Sequence, residues 1–290
     1  MMPLVALLVV TAIWGVTFVQ VKDAVEIYPL FAFLAIRFVI ASAVLAPFAA
    51  TRLRGFDRRG LVAGTALGGL LALGYGLQTA GLSRTTVSST GFITGLCVVL
   101  TPVIAYVLFR DRIPAAAWIG VAIATVGLAL LTGIDAGSPL GDALVLGGAA
   151  AYALQIVLLE RYAPHYDPVA FTLVEMLAAC LGFTAIALAR GELTVPHGWT
   201  VWGALIVTGV FASALAFVIQ TWAQKRTSAT RTALAFSAEP VFAAFFGYVL
   251  AGDRLGALGW SGCALILVGI VISEPAAARV FSTALRRAPG

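Results

Sequence analysis

Charge is what this sequence has least of. Asp, Glu, Lys and Arg make up only 11% of it, against roughly 25% in an average soluble domain. That scarcity excludes a chain whose whole surface faces water. Histidine occurs at just two positions, His165 and His197, both in polar breaks between apolar runs. There is no HExxH, no GxSxG, no P-loop and no pair of aspartates inside an apolar run, so the usual signatures of intramembrane hydrolysis, metal catalysis and ATP-driven pumping are missing. The cysteines, Cys97, Cys180 and Cys263, each fall within an apolar run, where thiols behave as small hydrophobes and give no disulfide or metal-site spacing. Neither a metal nor a cofactor is expected.

What is present is apolar length. Hydrophobic residues make up 61% of the chain and the mean hydropathy is +1.02. Segments of about 20 apolar residues, enough to cross a hydrocarbon core of about 30 Å, recur with short polar breaks. They predict ten spans, at 4–21, 30–51, 60–82, 87–109, 113–132, 141–159, 168–189, 199–223, 229–251 and 255–274. The fold class is therefore all-α integral membrane. The opening MMPLVALLVVTAIWG lacks a basic n-region and a convincing cleavage site and reads as a retained span. No soluble catalytic domain is expected.

The pI near 9.4 would suggest nucleic acid in a soluble protein, but here the bases report topology. Of 18 Lys and Arg residues, Arg37 lies inside a span and four (Lys22, Arg84, Arg190, Arg254) fall on one side. The other 18 − 1 − 4 = 13 fall on the opposite side. The positive-inside rule then puts both termini in the cytoplasm. The basic residues near Arg286 and Arg287 are expected to meet anionic headgroups of the bilayer.

Shifted by 142 residues, the chain resembles itself. GYGLQTAGLSRTTVSST aligns with AFVIQTWAQKRTSATRT, and YVLFRDRIPAAAWIGVAIATVG with YVLAGDRLGALGWSGCALILVG. Gln78 meets Gln220, Arg84 meets Arg226, Tyr106 meets Tyr248, Asp111 meets Asp253, Arg112 meets Arg254, Trp118 meets Trp260 and Gly127 meets Gly269. Each copy holds five spans, and an odd number inverts the second copy. The domains are thus a five-helix repeat over 1–135, its inverted copy over 136–275 and a basic cytoplasmic tail over 276–290. Inverted repeats supply two related conformations open to opposite faces, with a site near the midplane.

Three charges interrupt the spans. Arg37 and Glu175 are near-counterparts in the two halves, each about a third of the way along its span, where they can snorkel or pair. Glu239 stands in the middle of the ninth span, in ALAFSAEPVFAAFFGYVL. A charge there costs about 2.5 to 3.5 kcal/mol even on the lenient insertion scale. Either it faces a cavity, where it attracts a substrate amine or exchanges protons, or it accepts hydrogen bonds from neighbouring helices. Pro240 and Pro102 remove backbone donors and predict kinks in the ninth and fourth spans, as hinges or as passive bends. Gly60, Gly64 and Gly68 form a small-residue face for close helix packing. Trp14, Thr17, Tyr75, Gln78, Tyr152, Gln155 and Trp222, with Glu239, are the candidate cavity residues. Ring faces with nearby amides and hydroxyls suit uncharged or zwitterionic solutes, while helix packing and interfacial belts use the same residue types.

AIWGVTF, GFITGLCVVLTPVIAYVLFRDR and AFSAEPVFAAFFGYVLAGDRL resemble the drug/metabolite transporter superfamily, in its ten-helix EamA-type branch that includes YddG-like amino-acid exporters. The resemblance covers nearly the whole chain. It implies ten helices in two inverted halves around a central cavity, in a bacterial-type inner membrane, exporting small metabolites by alternating access. Amino acids are the first expected substrate. Asp111 and Asp253 stand where the branch more often has Glu. An uncoupled facilitator or channel built on the same cavity is the alternative, and an intramembrane enzyme is the remote one. The expected partners are a small-molecule substrate and the lipid bilayer, with no nucleic acid and a monomeric chain.

Overall fold

A computed structural model describes residues 2–133, 138–251 and 254–274, and no strand occurs among them. Asp253 and the 276–290 tail lie outside the described residues. The first five expected spans correspond to α1 (Met2–Ile27), α2 (Leu30–Ala49), α3 (Arg58–Leu82), α4 (Val87–Gly95) with α5 (Cys97–Phe109), and α6 (Ala115–Thr132). The second five correspond to α7 (Pro139–Tyr162), α8 (Pro168–Ala189) and α9 (Trp199–Val207), which runs through a π-helical segment (Thr208–Leu215) into α10 (Ala216–Gln224). They continue with α11 (Ala229–Phe236), α12 (Glu239–Phe246) and α13 (Ala257–Ser273). Among the described residues, eight helical stretches are long and apolar enough to cross a membrane, while Met2–Thr17 and Ala257–Ser273 are apolar but shorter.

Helix starts follow ordinary capping chemistry. Asp57 caps α3 by accepting from the Gly60 N–H, Asp167 caps α8 from Val169 and Ala170, and Thr86 and Ser228 cap α4 and α11; each oxygen satisfies a donor that has no intrahelical partner. The Gly60 N–H, and next to it the Tyr166 hydroxyl, hold the Asp57 carboxyl below the usual carboxylate range. The contribution of this cap is therefore present above the unfolded-state value and is lost as pH falls through the lowered one.

The interruption of the ninth span adjoins Pro240, whereas that of the fourth stands apart from Pro102. The fourth span breaks at Leu96, six residues before Pro102, which lies inside α5. The ninth breaks at Ser237 and Ala238, with Pro240 in the first turn of α12, where a missing N–H costs nothing. Leu96 and Ala238 are 142 positions apart, so the breaks correspond although the prolines do not. Pro102 itself lies inside α5, beyond the interruption.

Close helix contacts are made through glycine. A Cβ on Gly68 would stand 2.2 Å from the Glu175 backbone oxygen, and Gly60 and Gly64 face Tyr166 and Val174, so this small-residue face lets α3 approach α8. At the α6–α13 crossing, Gly120 lies against the Gly269 carbonyl and Gly127 against that of Gly262, and the reverse holds for each. The helices pair as α3 with α7 and α8, α9–α10 and the π-helical segment with α1 and α2, α2 with α8, and α6 with α13. The largest fully buried side chains include Phe33, Phe38, Phe171 and Phe183.

Gly68→Ala and Gly127→Ala are expected to lower thermal stability in detergent, by the roughly 1–3 kcal/mol typical of overpacking. Gly69→Ala, which meets open space, should leave it unchanged. Equal melting temperatures for all three would contradict the close approach.

Candidate functional site

The helix breaks and the π-helical segment bring polar groups from seven elements to the middle of the bundle. Arg37 on α2 is buried, its Nε donating to Ser213 Oγ at 2.7 Å and its Nη2 to the Ala212 carbonyl at 3.3 Å. The Trp14 indole N–H on α1 donates to the same carbonyl at 2.8 Å. Both acceptors sit in the π-helical segment, a winding that recurs at functional sites. Tyr75 on α3 packs edge-on against Tyr152 on α7, with ring centroids 5.5 Å apart. The Tyr152 hydroxyl donates to Gln78 Oε1, and Gln78 Nε2 donates to Thr94 Oγ1 on α4. Trp14 also meets Phe236, the last residue of α11, at 4.9 Å.

Glu239 opens α12 at this level. Its carboxylate is half-buried and makes no hydrogen bond or ion pair among the described residues. It interacts electrostatically with Arg37, Tyr75, Tyr152 and Cys97. Arg37 and Glu239 are thus near enough for their opposite charges to interact, an interaction strengthened by the low polarity around them. No group of three or more metal-binding side chains occurs among the described residues.

A second polar cluster lies beside the first. Gln155 on α7 donates to Glu175 Oε1 on α8 at 2.6 Å and accepts from Gln220 Nε2 on α10 at 3.4 Å. Gln220 Nε2 also donates to Gln224 Oε1, and Gln224 Nε2 donates to the Ile156 carbonyl. All four side chains are buried, Glu175 completely.

Of the candidate cavity residues, Tyr75, Gln78 and Tyr152 are in mutual contact, and Trp14 meets Phe236, three positions before Glu239. Thr17 is buried, but its hydroxyl bonds to carbonyls of its own helix, those of Ile13 and Trp14. Gln155 belongs to the second cluster. Trp222 lies under the Arg226 guanidinium, 4.6 Å from ring centroid to charge, at the outer end of α10. Arg37 and Glu175 neither snorkel nor pair with each other: Arg37 is tied to the π-helical segment and Glu175 to Gln155. Depth along a helix suggested an interfacial position for both, whereas the face they occupy is internal. Ser213, Gln220 and Gln224 join these clusters without standing among the candidate cavity residues; their signal in the sequence is polarity inside the apolar run TGVFASALAFVIQTWAQ.

An enclosed pocket of about 200 Å³ lies away from this centre, where the ends of α5, α7 and α13 meet the starts of α6 and α11, lined by Asp111, Arg112, Glu160, Ser228, Thr230 and Arg231 among others. None of the candidate cavity residues lines it. Next to it, Arg161 pairs with Asp111, and Glu160 Oε2 accepts from the Ala229 N–H. These contacts fasten the loop after α5, the end of α7 and the start of α11 together.

The profile of the EamA-like transporter family matches the chain twice, over residues 1–133 and 139–273. The chain belongs to the EamA-like transporter family. It is 32% identical over 269 residues to an uncharacterized transporter of Archaeoglobus fulgidus, covering 92% of this chain and 83% of that one. To the inner membrane transporter YedA of Escherichia coli it is 27% identical over 273 residues, covering 92% and 89%. A crystal structure of a protein with 19% identity superposes with a TM-score of 0.80, over 94% of this chain and 97% of that one, a likeness that speaks to fold alone. As a member of the EamA-like family, the protein is a multi-pass membrane transporter, and the relatives it matches are transporters rather than enzymes.

Arg37→Met and Glu239→Gln are expected to couple. Removing the guanidinium alone deprives the Glu239 carboxylate of the cation with which it interacts, and removing both charges relieves part of that cost. A double-mutant cycle by thermal unfolding in detergent should give an interaction energy within the roughly 0.5–3 kcal/mol found for coupled neighbours. Strict additivity would contradict a shared electrostatic centre.

Proposed function

We propose that this transporter exports small zwitterionic metabolites, amino acids first among them, across an inner membrane. The observation that carries the reading is the pair Arg37 and Glu239. Nε and Nη2 of the guanidinium are held by the protein, which fixes its plane and leaves Nη1 for a substrate carboxylate. The Glu239 carboxylate, with no protein donor among the described residues, is available to a substrate ammonium group. Tyr75, Tyr152, Trp14 and Phe236 supply apolar surface between the two charges, the mixture that small-molecule sites use.

We read the chain as ten membrane helices in two inverted five-helix halves around this centre, working by alternating access, with both termini cytoplasmic. Two observations support this. The helix pairings map onto one another under the 142-residue shift: α3 with α7 answers to α9–α10 with α1, and α5 with α7 to α12 with α1. The glycines of the α6–α13 crossing are themselves 142 apart and make reciprocal contacts, as two-fold-related elements do. Against that symmetry, α11 packs on α5, α6 and α7, whereas its counterpart α4 makes at most marginal contact with α12, α13 and α1. The bundle is fastened at the α11 end and loose at the α4 end, which is what one of two alternating states requires.

Counterflow in proteoliposomes tests the reading. Preloaded neutral amino acids should accelerate uptake of labelled ones, and analogues lacking either the carboxylate or the amine should not. Glu239→Gln should weaken apparent affinity about 10- to 100-fold, the equivalent of one charged hydrogen bond. Equal transport of amines, acids and zwitterions would sink the zwitterion reading. Solute equilibration without trans-stimulation would favour the facilitator instead.

A further inference from the structure

We propose that Glu175, with Gln155, Gln220 and Gln224, forms a proton-binding site that couples proton movement to transport, distinct from the Arg37–Glu239 centre. The proposal rests on the chain being a transporter, not on which solute it carries.

Glu175 is completely buried. One of its oxygens receives the Gln155 amide, and the other, Oε2, has no partner. No Lys, Arg or His bonds to it, because the three ion pairs among the described residues are Arg52–Asp167, Arg161–Asp111 and Arg190–Glu192. An uncompensated carboxylate inside a packed membrane protein is among the costliest arrangements available. The amides beside it are already committed. Gln155 Oε1 accepts from Gln220, and Gln224 Oε1 accepts from Gln220 as well. Gln220 Oε1 is the other unpartnered buried oxygen of the cluster. Two acceptors therefore lack a donor, and a hydrogen on the carboxyl group supplies one while removing the charge. A hard metal cation takes about six or more oxygens; two are free here.

The surrounding elements contribute few competing charges. Of the elements packed on α8, α2 brings Arg37, which is engaged by Ser213 and Ala212. α3 brings Tyr75, against Tyr152 and Phe183, with Arg58 and Arg59 exposed at its far end. The short 3-10 turn after α2 brings Arg52, which pairs with Asp167. α10 and the π-helical segment contain no titratable side chain. α7, through Gln155, brings Tyr152 one turn away and Glu160, Arg161 and Tyr162 toward its end.

The coupling follows from where the amides stand. Gln155 lies one helical turn beyond Tyr152, which lines the substrate centre, and Gln220 and Gln224 tie α10 to α7. The hydroxyls of Thr172 and Thr221 join α8 to α10 one turn farther on. A carboxyl group so enclosed releases its proton only when water or new donors reach Oε2. That requires α7, α8 and α10 to part, and the same movement shifts Tyr152 on α7.

Two readouts on the full chain test this. By infrared difference spectroscopy between acid and alkaline buffer, the wild type should show the carbonyl stretch of a buried carboxylic acid, and Glu175→Gln should lack it. In proteoliposomes, a pH gradient should drive accumulation of a neutral amino acid by the wild type, while Glu175→Gln should lose that drive and keep counterflow exchange at matched pH. Glutamine is isosteric and brings its own N–H donor, so the variant should stay monodisperse with an unchanged melting temperature; if it fails to fold, the band of Glu239→Gln decides, since a band that vanishes with Glu239 overturns the assignment to Glu175 and one that persists supports it. An absent band, or one unaltered by Glu175→Gln, overturns the proposal. So does accumulation driven by a sodium gradient and indifferent to pH. If no amino acid exchanges at all, the substrate reading fails, and the infrared readout still decides this one.

Discussion

A guanidinium and a carboxylate held in the middle of an apolar bundle set the terms for the rest of this structure. Neither charge is stable there without compensation, and the surrounding elements are arranged to supply it. The π-helical segment offers Ser213 and the Ala212 carbonyl to Arg37, and the Trp14 indole meets the same carbonyl from α1. The break at Ser237 and Ala238 starts α12 at Glu239, so its carboxylate stands at a helix N-terminus, where the helix dipole favours negative charge. Tyr75 packs edge-on against Tyr152, and Phe236 against Trp14. In the proposed role, a zwitterion completes what the protein leaves incomplete.

The family assignment and the geometry answer different questions. Membership in the EamA-like transporter family says that the chain moves solutes across a membrane, and the printed names of its relatives specify no solute. Substrate class has to come from the site. The site speaks through two charges of opposite sign, and a separate amide-bound carboxylate at Glu175 gives the proposed coupling step a place of its own. Keeping the two apart lets solute and proton be bound by different helices that move together.

Much of this was legible in the sequence, for reasons that can be named. Apolar runs of membrane length have little alternative to helix, and the identities at Gln78 and Gln220 or at Trp118 and Trp260 expose a repeated arrangement without any coordinates. The small-residue face of α3 was legible because glycine four apart has few other uses in a membrane helix. What failed was anything depending on rotation about a helix axis. Arg37 and Glu175 looked interfacial by depth, yet both face inward. Thr17 looked available, yet its hydroxyl is spent on its own helix. Trp222 packs against Leu7 and Ala235 and also lies under the Arg226 guanidinium, a double contact that its place in the run does not reveal. Pro102 gave no hint of the interruption at Leu96, which matches Ala238 at the 142-residue spacing.

The central claim is that one site is exposed alternately by two inverted halves, and the repeat itself supplies matched reporters. Asp23 and Arg84 lie at one end of the bundle, and His165 and Arg226, each 142 positions later, lie at the other; all four are exposed. Spin labels on cysteines at each pair, in a background without native cysteines, report the two mouths by pulsed electron resonance in nanodiscs. The account predicts that substrate and pH shift the two distance distributions in opposite senses, one mouth closing as the other opens. Distances that stay fixed, or that lengthen and shorten together, would contradict it.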